Sequence, residues 1–200
     1  MMLLDVENIE SKFESIVKSK EFTKLQNAYN GCQHVFFFGH GGNLGVSDHA
    51  AIDASRLTDK NVIAPGSGIL ATSIIGDTNF NDWLMHWLEM RSVGLNPKDC
   101  LVLGMSCSSS GESSASVSTA VEWAANNGMN SFLFTAVEKV GLTSDVTQIN
   151  QNANHYHTSE ILSLMLTYQL IHGAGFACPT ISKKAAERRF EDLGIESEVE

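Results

Sequence analysis

Three short apolar runs, the first of them stopped by glycines, constrain this sequence most: HVFFFG at 34–39, CLVLGMS at 100–106 and SFLFTA at 131–136. Each has strand length and shows no polar face, as strands covered on both sides do. NVIAP (61–65) and VTQIN (146–150) are weaker runs of the same kind. Between them, apolar residues recur at helical spacing over roughly 46–58, 79–91, 113–127 and 157–172. Strands alternating with helices predict a parallel sheet covered on both faces, an α/β sandwich. Val6, Ile9, Phe13, Ile16 and Val17 add an amphipathic helical region that closes near Gly31. Ser113 or Ser114 is placed to cap helix 113–127, and Gly128 to follow its end.

No repeat or linker divides the 200 residues. Residues 1–181 read as one domain and 182–200 as a charged tail. With 13 basic against 23 acidic residues, net −10, a general nucleic-acid surface is not expected. A single small anion held by N–H and O–H donors is compatible with that charge. Cys32, Cys100, Cys107 and Cys178 have no metal-finger spacing and read as reduced thiols of a cytoplasmic protein. The N-terminus lacks a signal-peptide pattern, and no stretch has the length and uniformity of a membrane span.

The second strong run opens into LVLGMSCSSSGESSAS, six serines and a glycine within nine positions. This loop follows a buried strand and precedes a helix, where open α/β sheets take ligands and free helix N–H groups favour an anion. A solvated, serine-rich connection is the alternative. The first strong run leads into a similar corner, FFFGHGGNLGVSDHAAIDAS. Leu44 breaks a dinucleotide G-x-G-x-x-G pattern, and no G-K-[ST] completes a P-loop.

GHGGNLGVSDHAAIDAS resembles the G-N-G-G-S-(x)5-H-(x)3-E segment of sedoheptulose-7-phosphate (phosphoheptose) isomerases, and SSSGES resembles the phosphate loop of the wider sugar isomerase (SIS) family. The resemblance covers roughly residues 1–175. It implies a three-layer α-β-α sandwich with a five-stranded parallel sheet plus an N-terminal helix, binding a sugar phosphate near subunit interfaces. Ser108, Ser110 and Ser113 match the phosphate-binding hydroxyls, and Ser106 contends for the first of these roles. Asn43, with Gly41 and Gly42, stands in the glycine loop where those enzymes often place another phosphate-contacting serine. His49 matches their histidine, Asp53 replaces their glutamate, and Asp77 matches an acidic residue after the second strand. The last helix departs from the pattern: Ser159 and Thr167 stand where the heptose enzymes have a glutamine and a histidine.

Aldose–ketose isomerisation needs a base that moves a proton between C1 and C2, and an acid at the enediol oxygens. Glu160 is the candidate base, its H-T-S-E context resembling the hexulose-phosphate branch of the family; capping the helix start is the alternative. His157 or His155 is the candidate acid. His49 and Asp53, four apart on one helix face, suit acid–base work, a plain hydrogen bond or two ligands of a zinc ion; no cofactor is otherwise expected. His40 is a turn histidine within reach of a ligand, and Trp83, Trp87 and Met90 read as packing.

Helix 157–172 is apolar almost all round, which predicts a homodimer or homotetramer built through it and the N-terminal helix, or else a central helix of the monomer. Ser159, Ser163 and Thr167 form a strip that would permit close helix approach. Two functions stay open: an aldose–ketose phosphosugar isomerase, and a non-catalytic phosphosugar-binding protein or regulator of the kind that associates with the replication initiator.

Overall fold

Strands β1 (His34–Gly39) and β3 (Cys100–Ser106) lie side by side and parallel, in register from His34 opposite Cys100 to Gly39 opposite Met105. The structure, a computed structural model, describes residues 6–66, 68–108 and 111–178. Ser110 and the tail 182–200 lie outside the described residues. Around the central pair, β2 (Asn61–Ile63), β4 (Asn130–Thr135) and β5 (Thr147–Asn150) complete a five-stranded, all-parallel sheet of order β2-β1-β3-β4-β5.

Alternation along each strand explains why the runs are apolar throughout. Val35 and Phe37 of β1, with Leu101, Leu103 and Met105 of β3, pack on one face. Helices α1 (Ile9–Val17), α2 (Lys20–Gly31), α3 (Gly42–Leu57) and α7 (Tyr156–Gly173) cover that face. Phe36, Phe38 and Val102 point to the other face, covered by α4 (Gly68–Asp77), α5 (Trp83–Arg91) and α6 (Glu112–Asn126). Each fully buried Phe or Leu contributes about 1.5–3 kcal/mol relative to exposure. Trp83 and Trp87 are buried in the second core, whereas Met90 is half exposed. Gly104 is needed for close approach, since a side-chain carbon there would lie 2.8 Å from Val117 and 2.9 Å from Val121 of α6.

The expected three-layer sandwich is present, and the differences are local. The N-terminal region is two helices, because the Ser19 hydroxyl accepts from the Phe22 N–H at 3.1 Å and caps a new one. Helix α5 starts at Trp83 rather than 79, because the Asn79 side chain accepts from the N–H groups of Asn81 (2.9 Å) and Asp82 (3.1 Å) and holds a turn. Helix α4 was not expected. Neither Ser113 nor Ser114 caps α6: the residue before its first turn is Gly111, at φ 91°. Gly128 does follow that helix, at φ 80°.

Helix α7 turns Leu162, Leu166, Leu170 and Ile171 into the core and leaves Ile161 40 % exposed. The strip of Ser159, Ser163 and Thr167 faces the chain's own interior. Ser159 Oγ donates to Gln151 Oε1, and Gln151 Nε2 donates to Ser163 Oγ at 2.8 Å. Thr167 Oγ1 donates to the Leu164 carbonyl at 2.7 Å. These hydroxyls therefore serve packing within one chain. Among the described residues, no helix is long and apolar enough to cross a membrane.

Candidate functional site

The chain leaves β1 toward β2 on one side and β3 toward β4 on the other, so the loops after β1 and β3 part at a topological switch point. A cavity of about 340 Å³ opens between them. The first loop contributes His40, Gly41, Gly42 and Asn43; the second contributes Ser106, Cys107, Ser108 and Gly111, continued by Glu112, Ser113 and Ser114 of α6. Glu160 and Tyr156 of α7 close it. The two loops foreseen from sequence thus meet, and Glu160 joins them.

Sharp turns make this approach possible. Gly41 holds φ 58°, which a side chain would oppose. At Gly39 a side-chain carbon would lie 2.7 Å from Asn43 Cβ and 2.9 Å from the Met105 carbonyl. At Gly42 it would clash with the Glu160 carboxylate. Helix α7 begins at Tyr156 without a side-chain cap, so Glu160 lies beyond the free N–H groups of the first turn and the capping alternative is not realised.

Asn43 is 3 % exposed; its Nδ2 donates to Cys107 Sγ at 3.0 Å, and its Oδ1 has no hydrogen-bond partner among the described residues. Burial pushes the Cys107 thiol up, so it stays protonated at neutral pH. Ser106 and Ser114 both donate to the Ser108 carbonyl, at 3.1 and 2.8 Å, and so brace the loop. Ser113 is exposed on the cavity wall. The residue before α6 is Gly111, which has no side chain to cap it, and the first N–H groups of a helix are a favourable place for an anion. His40 stacks on Phe80 with centroids 5.0 Å apart and meets Trp83 at 5.6 Å. Its burial lowers the imidazole pKa and keeps the ring neutral; Nε2 has no partner among the described residues.

The other candidates lie elsewhere. His49 and Asp53 of α3 meet Tyr168 of α7: the Tyr168 hydroxyl donates to Asp53 Oδ2 and lies 3.2 Å from His49 Nε2. His49 Nε2 is also 3.2 Å from Asp53 Oδ2. Asp53 lines a second cavity with Arg56, Leu57, Tyr168 and Cys178. Sequence reasoning missed Tyr168 in this role. Two ligands do not make the four-coordinate set zinc prefers, and among the described residues no group of three or more His, Cys, Asp or Glu is placed to hold a metal ion. Asp77 is exposed at the end of α4, outside the first cavity. His155 pairs with Glu7 and stacks on His157 at 5.3 Å; neither histidine lines that cavity.

No protein-family model and no curated protein matches this sequence. Solved structures do share its fold. A phosphoheptose isomerase from Neisseria gonorrhoeae matches with TM-score 0.69 and 16% identity, over 85% of this chain and 92% of that one. A hypothetical protein from Methanococcus jannaschii, with an inferred function of 3-hexulose-6-phosphate isomerase, matches at 0.57 and 14%, over 96% and 90%. The Vibrio vulnificus NanR protein complexed with ManNAc-6P matches at 0.61 and 14%, over 94% of this chain and 64% of that one. At such identities the likeness establishes the fold, that of the sugar isomerase (SIS) domains.

Proposed function

We propose that this SIS-fold chain binds a phosphorylated sugar between its glycine and serine loops and interconverts the aldose and ketose forms through an enediol. One juxtaposition carries the reading: the Glu160 carboxylate reaches over Gly42 into the cavity that the serine loop lines. The phosphate sits at the start of α6, on N–H groups and the hydroxyls of Ser108 and Ser113; Ser110 keeps the same role from the resemblance. The sugar's C1–C2 end then extends toward Gly42 and Glu160.

In the open-chain aldose, Glu160 removes the C2 proton, and the C–H electron pair becomes the C1=C2 bond. The carbonyl pair moves onto O1, which takes a proton from a neutral donor. His40 is the imidazole that lines the cavity, and its neutrality suits that donor role. Loss of the O2 proton then forms the C2 carbonyl while protonated Glu160 returns its proton to C1. Glu160→Gln should lower turnover about 10²–10⁴-fold with little change in affinity. Exchange of the substrate C2 proton with solvent deuterium, followed by NMR over a panel of sugar phosphates, reads the step directly. Exchange by the variant at the wild-type rate would remove Glu160 from the role.

A non-catalytic phosphosugar-binding protein is the second reading. It is favoured by Ser159 and Thr167, whose hydroxyls are bonded inside the chain and do not line the cavity. Tight binding of a sugar phosphate without any C2 exchange would select it.

A further inference from the structure

Lys139, in the connection between β4 and β5, is only 5 % exposed. Its ammonium donates to the Ser114 carbonyl at 3.1 Å, to the Ser118 hydroxyl at 3.2 Å and to the Ser114 hydroxyl. Gln148 clamps its backbone, accepting from its N–H and donating to its carbonyl, both at 2.9 Å. The arrangement is unfavourable on its own terms: a buried cation stands beside the first turns of α6, at the positive end of that helix. The charged groups on the surrounding elements are Glu112 and Glu122 of α6 and Glu138 and Asp145 of its own connection; the serine loop and β5 carry none. Among the described residues, none of them forms an ion pair with Lys139. Glu122 accepts from the Thr143 N–H at 3.1 Å, and Glu138 lines a separate cavity beside Lys12. Burial pulls Lys139 down to about 8.

We propose that Lys139 is the buried counter-charge of the anion site, acting as a positioning residue through Ser114 on a phosphate bound in the cavity above. The inference rests on the phosphosugar reading and deepens it. Ser114 is the link, because its hydroxyl accepts from Lys139, donates to the Ser108 carbonyl and stands in the cavity wall. The unpartnered, buried Oδ1 of Asn43 across the same cavity independently points to a ligand that brings hydrogen-bond donors, as a sugar does. A bound dianion favours the ammonium form, so binding takes up a proton when Lys139 is partly neutral. Affinity is then level below pH 8 and falls as pH rises above it. The second ionisation of a phosphate monoester, near pH ~6, lies below that window.

The test is calorimetric titration of the wild-type protein with hexose phosphates, which are phosphate monoesters, from about pH 7 to 9.5, around the Lys139 pKa of about 8. Each titration is run in two buffers of different ionisation heat. Expected are fractional proton uptake at pH ~8 and roughly a tenfold loss of affinity per pH unit above it. Lys139→Met should abolish the uptake and bind about 10–100-fold more weakly at pH 7, whereas Lys139→Arg should keep a charge and lose the pH dependence. Wild-type binding without proton uptake and with flat affinity would overturn the counter-charge while leaving the phosphate site standing. If no phosphate binds the wild type at any pH, the phosphosugar reading falls and the counter-charge with it. The wild-type measurement does not depend on any variant folding.

Discussion

The Glu160 carboxylate occupies the space into which the first side-chain carbon of residue 42 would extend. The two residues lie on different helices, α3 and α7, so a substitution on one displaces the functional group of the other. Gly42→Ala should push Glu160 aside at little structural cost, because a carboxylate at the end of a flexible side chain can swing. Gly42 does not have a positive φ, so alanine fits its backbone and stabilises by about 0.4–1 kcal/mol through the unfolded chain. Thermal denaturation should therefore show an equal or higher melting temperature while C2 exchange collapses. A parallel fall in both would mean that Gly42 serves the fold rather than the site.

Ser113 and Ser114 are neighbours with opposite expectations. Ser113 is exposed on the cavity wall, and Ser113→Ala should weaken phosphosugar binding about tenfold with the melting temperature unchanged. Ser114 is buried and bridges Lys139 to the Ser108 carbonyl. Ser114→Ala leaves buried polar groups short of a partner, a loss of about 1–3 kcal/mol that denaturant unfolding would measure.

Tyr168 should titrate late. Its hydrogen bond to Asp53, aided by burial, pushes the phenol up to about 12. The folded pKa is raised above the ordinary value near ~10, so this contribution to stability is complete below pH ~10 and is lost as pH rises through about 12. Asp53→Asn should bring the phenolate absorbance midpoint back toward its ordinary value. An unchanged midpoint would show that Asp53 does not hold the hydroxyl.

We propose that the outward strip of α7, with Ile161 40 % exposed, and Ile52 of α3, 60 % exposed, face a second copy of the chain. Light scattering should then give a multiple of 21.7 kDa, and Ile161→Glu should return the monomer with its secondary structure intact. A wild-type monomer would leave α7 as a helix of the single chain only.

The sheet was legible because its strands are covered on both faces, and runs such as HVFFFG have no polar side to confuse the reading. The two candidate loops were legible because glycine and serine clusters stand directly after two of the buried strands, β1 and β3. Helix α4 was not: Leu70, Ala71, Ile74 and Ile75 pack on the second core, but Ile69 on the other side is 81 % exposed and blurs that short pattern. Tyr168 escaped because its partner Asp53 lies 115 positions away, a separation that periodicity does not bridge. Lys139 escaped because one lysine in a connection carries no signal until its burial is known.

Gln151 is only one residue past β5, yet it grips two successive turns of α7 through Ser159 and Ser163. A cylinder greasy on nearly every side has no preferred angle about its own axis, and lipophilic packing alone would accept several. The amide acts as a key in a slot: it fixes the angular setting of the helix against the sheet edge. Glu160 is the next residue after Ser159, so the same key decides whether that carboxylate points at Gly42 or a hundred degrees away.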